Sequence, residues 1–340
     1  MPLTRDPGLN GPPTAKRILQ QIQDLDVLVL GDVCLDRWCY YDPELSEPSR
    51  ETGLERLAVV RTVVTPGAAG TIANNLISLG VRKVNVLGTV GEDAFGWELM
   101  RALTARGIGA DLVVRSSTLS TFTYTKLINR NTDVEDQARV DFITAHVTPE
   151  PVEAEIVANL KSWFDQFNVI LVCDQAETEV GGVVTKKVRD ALIELATAAP
   201  EKIVWVDSRV RLEHFRNVIA KPNLMEAQQA CQRAFDAVDL PRLRRECGFK
   251  IMVVTEGESG VRILSAGEEE HRVPVRKVEA VDICGAGDSF SAGAACALAV
   301  TGDPVKAAWF GNLVASITVQ KKGTGTASPE EVLQAAGETG

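Results

Sequence analysis

Residues 281–290 read VDICGAGDSF and run directly into an Ala-rich stretch, residues 291–300, whose pattern predicts a helix. Gly285 and Gly287 allow the backbone to turn tightly and to approach a ligand closely. The free N–H groups at the start of a helix point at one spot and bind anions there. The sequence therefore predicts that the backbone of Gly285, Ala286 and Gly287 donates hydrogen bonds to a phosphoryl group.

One carboxylate, Asp288, lies at the same helix start. The helix dipole favours negative charge at this end, so we expect the carboxylate to be ionised. An ionised Asp beside an anion site provides what phosphoryl transfer to an alcohol requires, a base for the hydroxyl and donors for the developing charge. The alternative is an ordinary helix N-cap formed by the side chain of Asp288 or Ser289.

Residues 221–226 read KPNLME and place Asn223 and Glu226 three residues apart where a helix is expected to begin. Two residues at this spacing face the same side of a helix. An amide and a carboxylate suit a hydrated Mg²⁺ ion, which takes few protein ligands. The same spacing also fits a capping box, in which the two side chains only satisfy the helix start.

The segment from Thr255 to Gly260 follows an apolar run and contains Gly257. Short loops of this kind after a buried strand lie where ligands bind in α/β sheets. The segment therefore predicts either a loop that contacts a nucleotide or a simple β-turn.

Candidate contacts for a polyol lie in the first half of the chain. Asp36 ends the segment GDVCLD, and its ionised carboxylate would accept hydrogen bonds from sugar hydroxyls. Gly67 and Ala68 belong to the segment PGAAG, where backbone atoms can approach a sugar. Ordinary turn chemistry is the alternative explanation for both GDVCLD and PGAAG. Three basic residues are candidates for holding an anionic substrate: Lys126, Arg130 and Arg139. Solvated charges at a strand edge are the simpler explanation for the first two.

The elements that must position these residues alternate along the chain. Short apolar runs at residues 27–30, 83–87, 169–173, 203–206 and 251–254 predict buried parallel strands, and residues 71–79 and 97–105 predict helices. This order predicts an α/β fold with a doubly wound, mostly parallel sheet covered on both faces. Two of the strands end at Asp174 and Asp207, where ligands of such sheets bind.

Two segments, residues 56–65 and 120–142, interrupt this order. Both are rich in Val, Thr, Tyr and Ile, which is typical of exposed strands. We expect the two segments to pair with each other in a small β-lid over the main sheet, the alternative being edge strands of that sheet. Exposed apolar strand edges promote association, so we expect a homodimer through the lid valines: Val59, Val60, Val63 and Val64.

Composition restricts the function classes. The chain has 340 residues, of which 45% are hydrophobic, and its net charge of −10 disfavours nucleic-acid binding. Three scattered His and an odd count of seven Cys argue against a zinc site and a disulfide framework. We expect a cytoplasmic protein without a membrane segment, because neither a leader pattern nor a long apolar run is present. The sequence lacks a Walker A motif and a GxGxxG after the first strand, which disfavours P-loop kinases and dinucleotide oxidoreductases.

These motifs, in this order, resemble the ribokinase family of carbohydrate kinases, also called the PfkB family, over residues 26–329. The resemblance implies that Asp288 is the catalytic base, that the backbone before it forms the anion hole, and that Asn223 and Glu226 contact Mg²⁺ and phosphates. It also implies ATP contacts at Thr255, Gly257, Gly260 and Asn312 and a monovalent-cation site that includes Asp282.

Within that family the chain looks most similar to the heptose-7-phosphate kinases of ADP-heptose synthesis, in residues 31–38, 66–80 and 139–142. This branch implies a sugar or sugar phosphate as substrate, with contacts at Asp36, Gly67, Ala68, Thr71 and Arg139. The chain departs from the family pattern at Ala68 (usually Gly), Thr71 (usually Asn) and Ile283-Cys284 (usually Thr-Thr). It also lacks, in residues 173–177, the Tyr, Gly and Lys of the heptose kinases.

These departures leave the acceptor less defined than the chemistry. Fructose, ribose, ketodeoxygluconate or a nucleoside are alternative acceptors, and a non-catalytic sugar or nucleotide sensor is an alternative of another class. For the domain organisation we expect a tail and first helix over residues 1–25 and a kinase domain over residues 26–330. Its discontinuous lid would cover about 37–66 and 113–142, and a C-terminal tail would follow over residues 331–340.

Overall fold

The computed structural model describes residues 14–143, 145–176, 180–267 and 270–338. The helices are α1 Ala15–Ile22, α2 Ala69–Ser78, α3 Ala94–Ala105, α4 Glu150–Trp163, α5 Lys186–Ala198, α6 Leu224–Phe235, α7 Leu240–Cys247, α8 Ala286–Thr301, α9 Pro304–Thr318 and α10 Pro329–Ala336. The first strands are β1 Asp26–Gly31, β2 Val33–Tyr41, β3 Glu47–Pro48, β4 Glu55–Arg56, β5 Val59–Ala68, β6 Lys83–Leu87, β7 Thr89–Gly91, β8 Val114–Ser116 and β9 Thr123–Asn129. The remaining strands are β10 Val134–Glu135, β11 Val140–Phe142, β12 Val169–Asp174, β13 Ile203–Ser208, β14 Ile219–Ala220, β15 Ile251–Thr255, β16 Val261–Leu264 and β17 Glu270–Val273.

Eight strands form the main sheet, in the order β17-β16-β15-β14-β13-β12-β1-β6. From β6 to β15 every neighbouring pair is parallel, whereas β15–β16 and β16–β17 are antiparallel. Strands β1 and β12 are buried along almost their whole length, which explains their unbroken apolar sequences. The predicted α/β fold with a doubly wound, mostly parallel sheet is confirmed.

Helices cover both faces of this sheet. Along β1, Val27 and Val29 belong to one buried cluster, with residues of α1, α2, α8, α9 and α10. Leu28 and Leu30 belong to a second cluster, with residues of α4, α5, α6 and α7. Successive side chains of a strand point to opposite faces, so one apolar run supplies both cores. Among the helices of the described ranges, none combines the length and the apolar character that crossing a membrane requires.

A second sheet of five strands, here called the lid sheet, lies apart from the main sheet and has the order β10-β9-β2-β5, with β11 also paired to β9. Strand β2 lies in its middle, antiparallel to β5 and parallel to β9. The expected lid is therefore present, but the expected direct pairing of residues 56–65 with 120–142 is wrong. Strand β2 separates the two segments, because the GDVCLD stretch that resembles a turn continues as an extended strand.

The chain passes from the main sheet to the lid sheet at Asp32, between the end of β1 and the start of β2. The buried Asp32 carboxylate accepts hydrogen bonds from the N–H groups of Gln175 (2.8 Å) and Val183 (2.7 Å). The Asp32 N–H donates to the Cys173 carbonyl at 2.9 Å. Burial is the main cause that raises the pKa of Asp32 to about 6. These bonds fix the start of the lid sheet to the carboxyl edge of the main sheet.

The C-terminal segment is helical rather than the tail expected over residues 331–340. Helix α10 starts with a capping box of Ser328 and Glu331, and Val332 packs into the core. The Glu338 carboxylate then accepts the backbone N–H of Ala15 at 3.0 Å, at the start of α1. The expected N-terminal tail falls on residues 1–13, outside the described residues.

Candidate active site

Charged side chains meet at the carboxyl ends of the parallel strands. Val206 of β13 is in register with Ala220 of β14, so that Asp207 and Lys221 follow side by side. Lys221 Nζ lies 2.5 Å from Asp207 Oδ2, and both residues are buried. This ion pair lies at the edge where the sheet topology predicts ligand binding.

Helix α8 begins at this edge with the GAGD motif. Its N-cap is Gly285, at φ 77° in the left-handed region, and its first helical residue is Ala286 rather than Ser291. No side chain caps the helix, so the alternative explanation of Asp288 or Ser289 as an N-cap is wrong. The Ala286 N–H donates to the Ile283 carbonyl at 3.2 Å in this conformation, which engages one of the three amides predicted to bind phosphate.

Aromatic packing fixes α8 against β13. The ring centroids of Trp205 on β13 and Phe290 on α8 are 6.3 Å apart. Asp207 follows Trp205 by two residues and Asp288 precedes Phe290 by two, so this contact brings the two carboxylates to the same region.

The environment of Asp288 raises its pKa. Burial is the largest cause and the Asp207 carboxylate the second, and together they bring the pKa of Asp288 to about 7 against the opposing charges of Lys221 and Arg209. Lost hydration and a like charge therefore outweigh the lowering of this pKa that the helix dipole was expected to cause. A carboxylate with a pKa near 7 is well matched to proton transfer at neutral pH.

A cavity of about 170 Å³ lies between the lid sheet and this edge. Seven of the candidate residues from the sequence line it: Asp36, Ala68, Thr71, Lys126, Arg139, Gly285 and Asp288. They come from β2, β5, α2, β9, β11 with its preceding loop, and the start of α8. The structure thus brings candidate acceptor contacts and the candidate base into one space.

Asp36 lies directly over Gly67. A Cβ added at Gly67 would be 2.4 Å from Asp36 Oδ1, so only a glycine permits this arrangement. The Cys34 thiol donates to Asp36 Oδ1 at 3.6 Å. Burial raises the pKa of Asp36 to about 6, although Lys126 and Arg139 oppose this change. The carboxylate is therefore ionised at neutral pH and able to accept hydrogen bonds from hydroxyls.

Ala68 adopts an unusual backbone conformation, with φ 52° and ψ −117°, just before α2. Glycine reaches this region without a penalty, whereas an alanine stores about 1–3 kcal/mol of strain. Ala68 stands where the family usually has Gly and lines the cavity. Strain of this kind concentrates at functional sites.

The basic residues of the lid sheet divide into two groups. Lys126 and Arg139 line the cavity, and Arg139 also pairs with Asp141. Arg130 instead pairs with Asp42 at 2.5 Å and is not among the cavity-lining residues. The simpler explanation, a solvated strand-edge charge, fits Arg130 but not Lys126.

Asn223 and Glu226 form the capping box that the sequence left as an alternative. Asn223 Oδ1 accepts the Glu226 N–H at 2.8 Å, and Glu226 Oε2 accepts the Asn223 N–H at 2.7 Å. Burial, followed by the charge of Asp207, raises the pKa of Glu226. Within the described ranges, no group of three or more His, Cys, Asp or Glu could hold a metal ion. These residues fit Mg²⁺ as a hydrated ion with few protein ligands.

The segment after β15 is a tight hairpin loop beside this capping box. Gly257 and Gly260 have φ values of 57° and 96°, and the Thr255 N–H donates to the Pro222 carbonyl at 3.0 Å. Residues 255–260 therefore form a turn, which the sequence allows as well as a loop that contacts a nucleotide. Thr255 lies next to Asn223. Asn312 is on α9, where its Nδ2 donates to the Pro274 carbonyl at 3.3 Å, and it does not line the cavity.

Asp282 joins two loops. One carboxylate oxygen accepts the Cys284 N–H at 2.9 Å, and the other accepts the Gly323 N–H at 3.1 Å. The carboxylate therefore connects the loop before α8 to the loop after α9. A monovalent cation at this residue stays a prediction.

Several cavity-lining residues were not among the predicted ones. Gln175 and Arg209 follow the ends of β12 and β13, and Trp38 lies in the middle of β2. The strand-end rule that drew attention to Asp174 and Asp207 could have found Gln175 and Arg209. Trp38 was not predicted, because the sequence did not indicate strand β2, which carries it.

Known proteins with similar sequences and similar folds identify the family of this chain. The family model described as pfkB family carbohydrate kinase matches residues 25–331. Proteins named bifunctional protein HldE from Pelobacter propionicus and Geobacter metallireducens are 29% and 30% identical over 94% and 93% of this chain, which spans 64% of each relative's length. The crystal structure of a Thermotoga maritima ribokinase has a TM-score of 0.70 at 21% identity, covering 92% of this chain and 100% of the other. Escherichia coli phosphofructokinase-2 in complex with potassium has a TM-score of 0.67 at 15% identity, covering 92% and 98%.

The chain belongs to the pfkB family of carbohydrate kinases. Its fold is the ribokinase-like α/β fold, and its activity is that of a phosphotransferase acting on a sugar.

Proposed function

We propose that this protein transfers the γ-phosphoryl group of ATP to a hydroxyl of a sugar phosphate, with Asp288 as general base. One observation carries the proposal: Asp288 opens into the same cavity as Asp36, and its pKa of about 7 suits a base at neutral pH. Heptose 7-phosphate is the preferred acceptor, supported by the resemblance to the heptose-7-phosphate kinases and by the HldE relatives.

The cavity also carries positive charge suited to an anionic acceptor. Lys126 and Arg139 face it from the lid sheet and Arg209 from the main sheet. A phosphate bound near these side chains would leave the sugar hydroxyls between Asp36 and Asp288, because both carboxylates line the same cavity. A neutral sugar such as ribose has no group that would use these cations, which favours a sugar phosphate over it.

In the proposed reaction, Asp36 orients the acceptor by accepting hydrogen bonds from its hydroxyls. Asp288 removes the proton from the attacking hydroxyl, and the backbone of the Gly285–Gly287 turn binds the phosphoryl group. The nucleotide would lie along Asn223, Thr255, Gly257, Gly260 and Asn312. Mg²⁺, when bound near Glu226, neutralises charge on the phosphates. Asp282 is the proposed site of a monovalent cation, tested by comparing turnover with and without K⁺.

The proposal includes a cytoplasmic homodimer of kinase domains spanning residues 26–330. Val59, Val60 and Val63 of β5 are exposed on the lid sheet, and a second copy covering them would remove this apolar surface from water. Val64 is not part of this surface, because it is half-buried against the main core. Light scattering at micromolar concentration checks this, because a monomeric mass would contradict the dimer.

The experiment measures ADP release from ATP and Mg²⁺ over a panel of sugars and sugar phosphates that includes heptose 7-phosphate, for the natural protein and for Asp288→Asn. We expect turnover on one acceptor and a loss on the order of 10²-fold or more in the variant. Nucleotide and sugar binding without turnover on any acceptor would favour a sensor instead. Turnover on fructose, ribose, ketodeoxygluconate or a nucleoside alone would keep the kinase and replace the acceptor.

A further inference from the structure

A buried ion pair lies beneath the first turn of α8. Besides the in-register pair of Val206 and Ala220, the Lys221 N–H donates to the Val206 carbonyl at 2.8 Å, so the backbone fixes where both charged residues leave the sheet. The side chains of Lys221 and Asp207 are 4% and 6% exposed, and their charged atoms are 2.5 Å apart. The ammonium group therefore has little freedom to move.

The ammonium group of Lys221 faces the GAGD turn. A Cβ added at Gly287 would lie 3.3 Å from Lys221 Nζ, so the ammonium directly adjoins the backbone of the first helical turn. Amides of a first helical turn already favour anions. The charges of Asp207, Glu226 and Asp288 all act on this ammonium group. A buried cation therefore lies at the anion site itself, among the carboxylates expected to act there.

Stability alone is a weak reason for such a pair. Removing two charges from water costs free energy that their attraction often fails to recover, and apolar replacements of buried pairs are frequently neutral or stabilising. A fixed positive charge in a site shielded from water, in contrast, strongly stabilises negative charge that develops during a reaction.

We propose that Lys221 is a further catalytic residue, whose ammonium group contacts the γ-phosphoryl group of the nucleotide, and that Asp207 is the positioning residue that holds it at Gly287. This inference rests on the proposed function as an ATP-dependent kinase and adds to it a cation that lies outside residues 223–226 and 285–288.

The test compares equilibrium binding of Mg·AMP-PNP and Mg·ADP to the natural protein and to the double variant Asp207→Asn/Lys221→Met. The double variant removes both charges, so neither is left buried without its partner, and thermal melting checks that the fold is retained. Lys250→Met is the matched control. Lys250 directly precedes β15 and therefore lies at the amino ends of the parallel strands, away from the site, where its ammonium group donates to the Pro200 carbonyl at 2.6 Å.

We expect the double variant to bind Mg·AMP-PNP about tenfold more weakly or worse, to bind Mg·ADP within about threefold of the natural protein, and to lose about 10²-fold in kcat. Lys221→Arg, which keeps the charge, should retain more of both properties than the double variant. Binding of Mg·AMP-PNP and kcat that both stay within about threefold in a folded double variant would overturn the inference, since the pair would then be structural only. A natural protein that binds neither nucleotide would refute the proposed function, and this inference with it.

Discussion

Replacing the candidate base by its amide, Asp288→Asn, should stabilise the protein while it removes activity. Burial and the charge of Asp207 raise the pKa of Asp288 from 3.8 to about 7. At about 1.36 kcal/mol for each pKa unit, this difference corresponds to about 4 kcal/mol against folding once the carboxyl is ionised. The side chain opens into the cavity, where water screens its charge, so we expect about half of that value, ~2 kcal/mol.

The sign of this effect depends on pH. A carboxyl whose pKa is higher in the folded state disfavours folding only when it ionises, so its cost is absent below about pH 4, grows as pH rises, and is complete above about pH 7. The amide side chain of the Asp288→Asn variant carries no charge at any of these pH values. The stability advantage of the variant should therefore be largest at pH 8 and shrink towards pH 4.

Thermal and urea unfolding at pH 8 and pH 5 provide the assay. At an unfolding entropy of about 2.1 cal/mol/K per residue, a gain of about 2 kcal/mol corresponds to a rise in Tm of roughly 3 °C for a domain of about 300 residues. Asp190→Asn is the matched control, because Asp190 is exposed and pairs with Lys186 on the surface of α5, where such changes alter stability by less than about 0.5 kcal/mol. An Asp288→Asn variant that is no more stable than the natural protein at pH 8 would refute the electrostatic account of this site.

Four further outcomes follow from the geometry. Gly67→Ala should lower kcat/KM at least about tenfold, because its Cβ would lie 2.4 Å from Asp36 Oδ1; steady-state kinetics with unchanged values would contradict this. Ala68→Gly should raise the free energy of unfolding by about 1 kcal/mol by relieving the strained backbone, measured by urea denaturation. The kcat/KM should rise with pH between about 6 and 7, since Asp288 must lose its proton to act as a base, and a flat profile there would argue against that role. Cys284 is half-buried, whereas the other cysteines are buried, so iodoacetamide should label Cys284 first and more slowly when the cavity is filled. Partial burial raises the pKa of its thiol, so the labelling rate should increase about tenfold for each pH unit up to that pKa.

Much of the main sheet could be predicted because each strand is a local feature. The apolar runs at β1, β12, β13 and β15 are short, unbroken and flanked by turn residues, so the sequence alone indicates buried parallel strands. The glycine-flanked motif of α8 is local in the same sense. Its order relative to the other motifs is a property of the sequence alone and is typical of the family.

Strand β2 could not be predicted because its polar residues break the alternation typical of strands. Asp36 and Arg37 are adjacent, and both line the cavity. Polar residues that face the cavity therefore obscure the pattern of the strand that carries them. The lid was predicted from its outer strands, and its pairing was wrong because the middle strand was missing.

The pKa of Asp288 was also beyond local prediction. Asp207 acts on it from far away in the sequence, through packing of Trp205 against Phe290. The helix dipole, the one influence visible in the local sequence, has the opposite sign to the net effect. Only the tertiary structure shows that burial and a second carboxylate prevail.

The parallel pairing of β2 with β9 has a consequence for how the molecule forms. Arg37 and Thr125, hydrogen-bonded across these strands at 3.2 Å, are 88 residues apart in the chain. Closing so long a loop costs conformational entropy. This cost is recovered only after the helices and strands between β2 and β9 have folded. The lid sheet should therefore acquire hydrogen-exchange protection late in refolding and lose it early on local opening. The cavity under the lid sheet, and with it the capacity to bind an acceptor, would be the last feature of the native protein to appear.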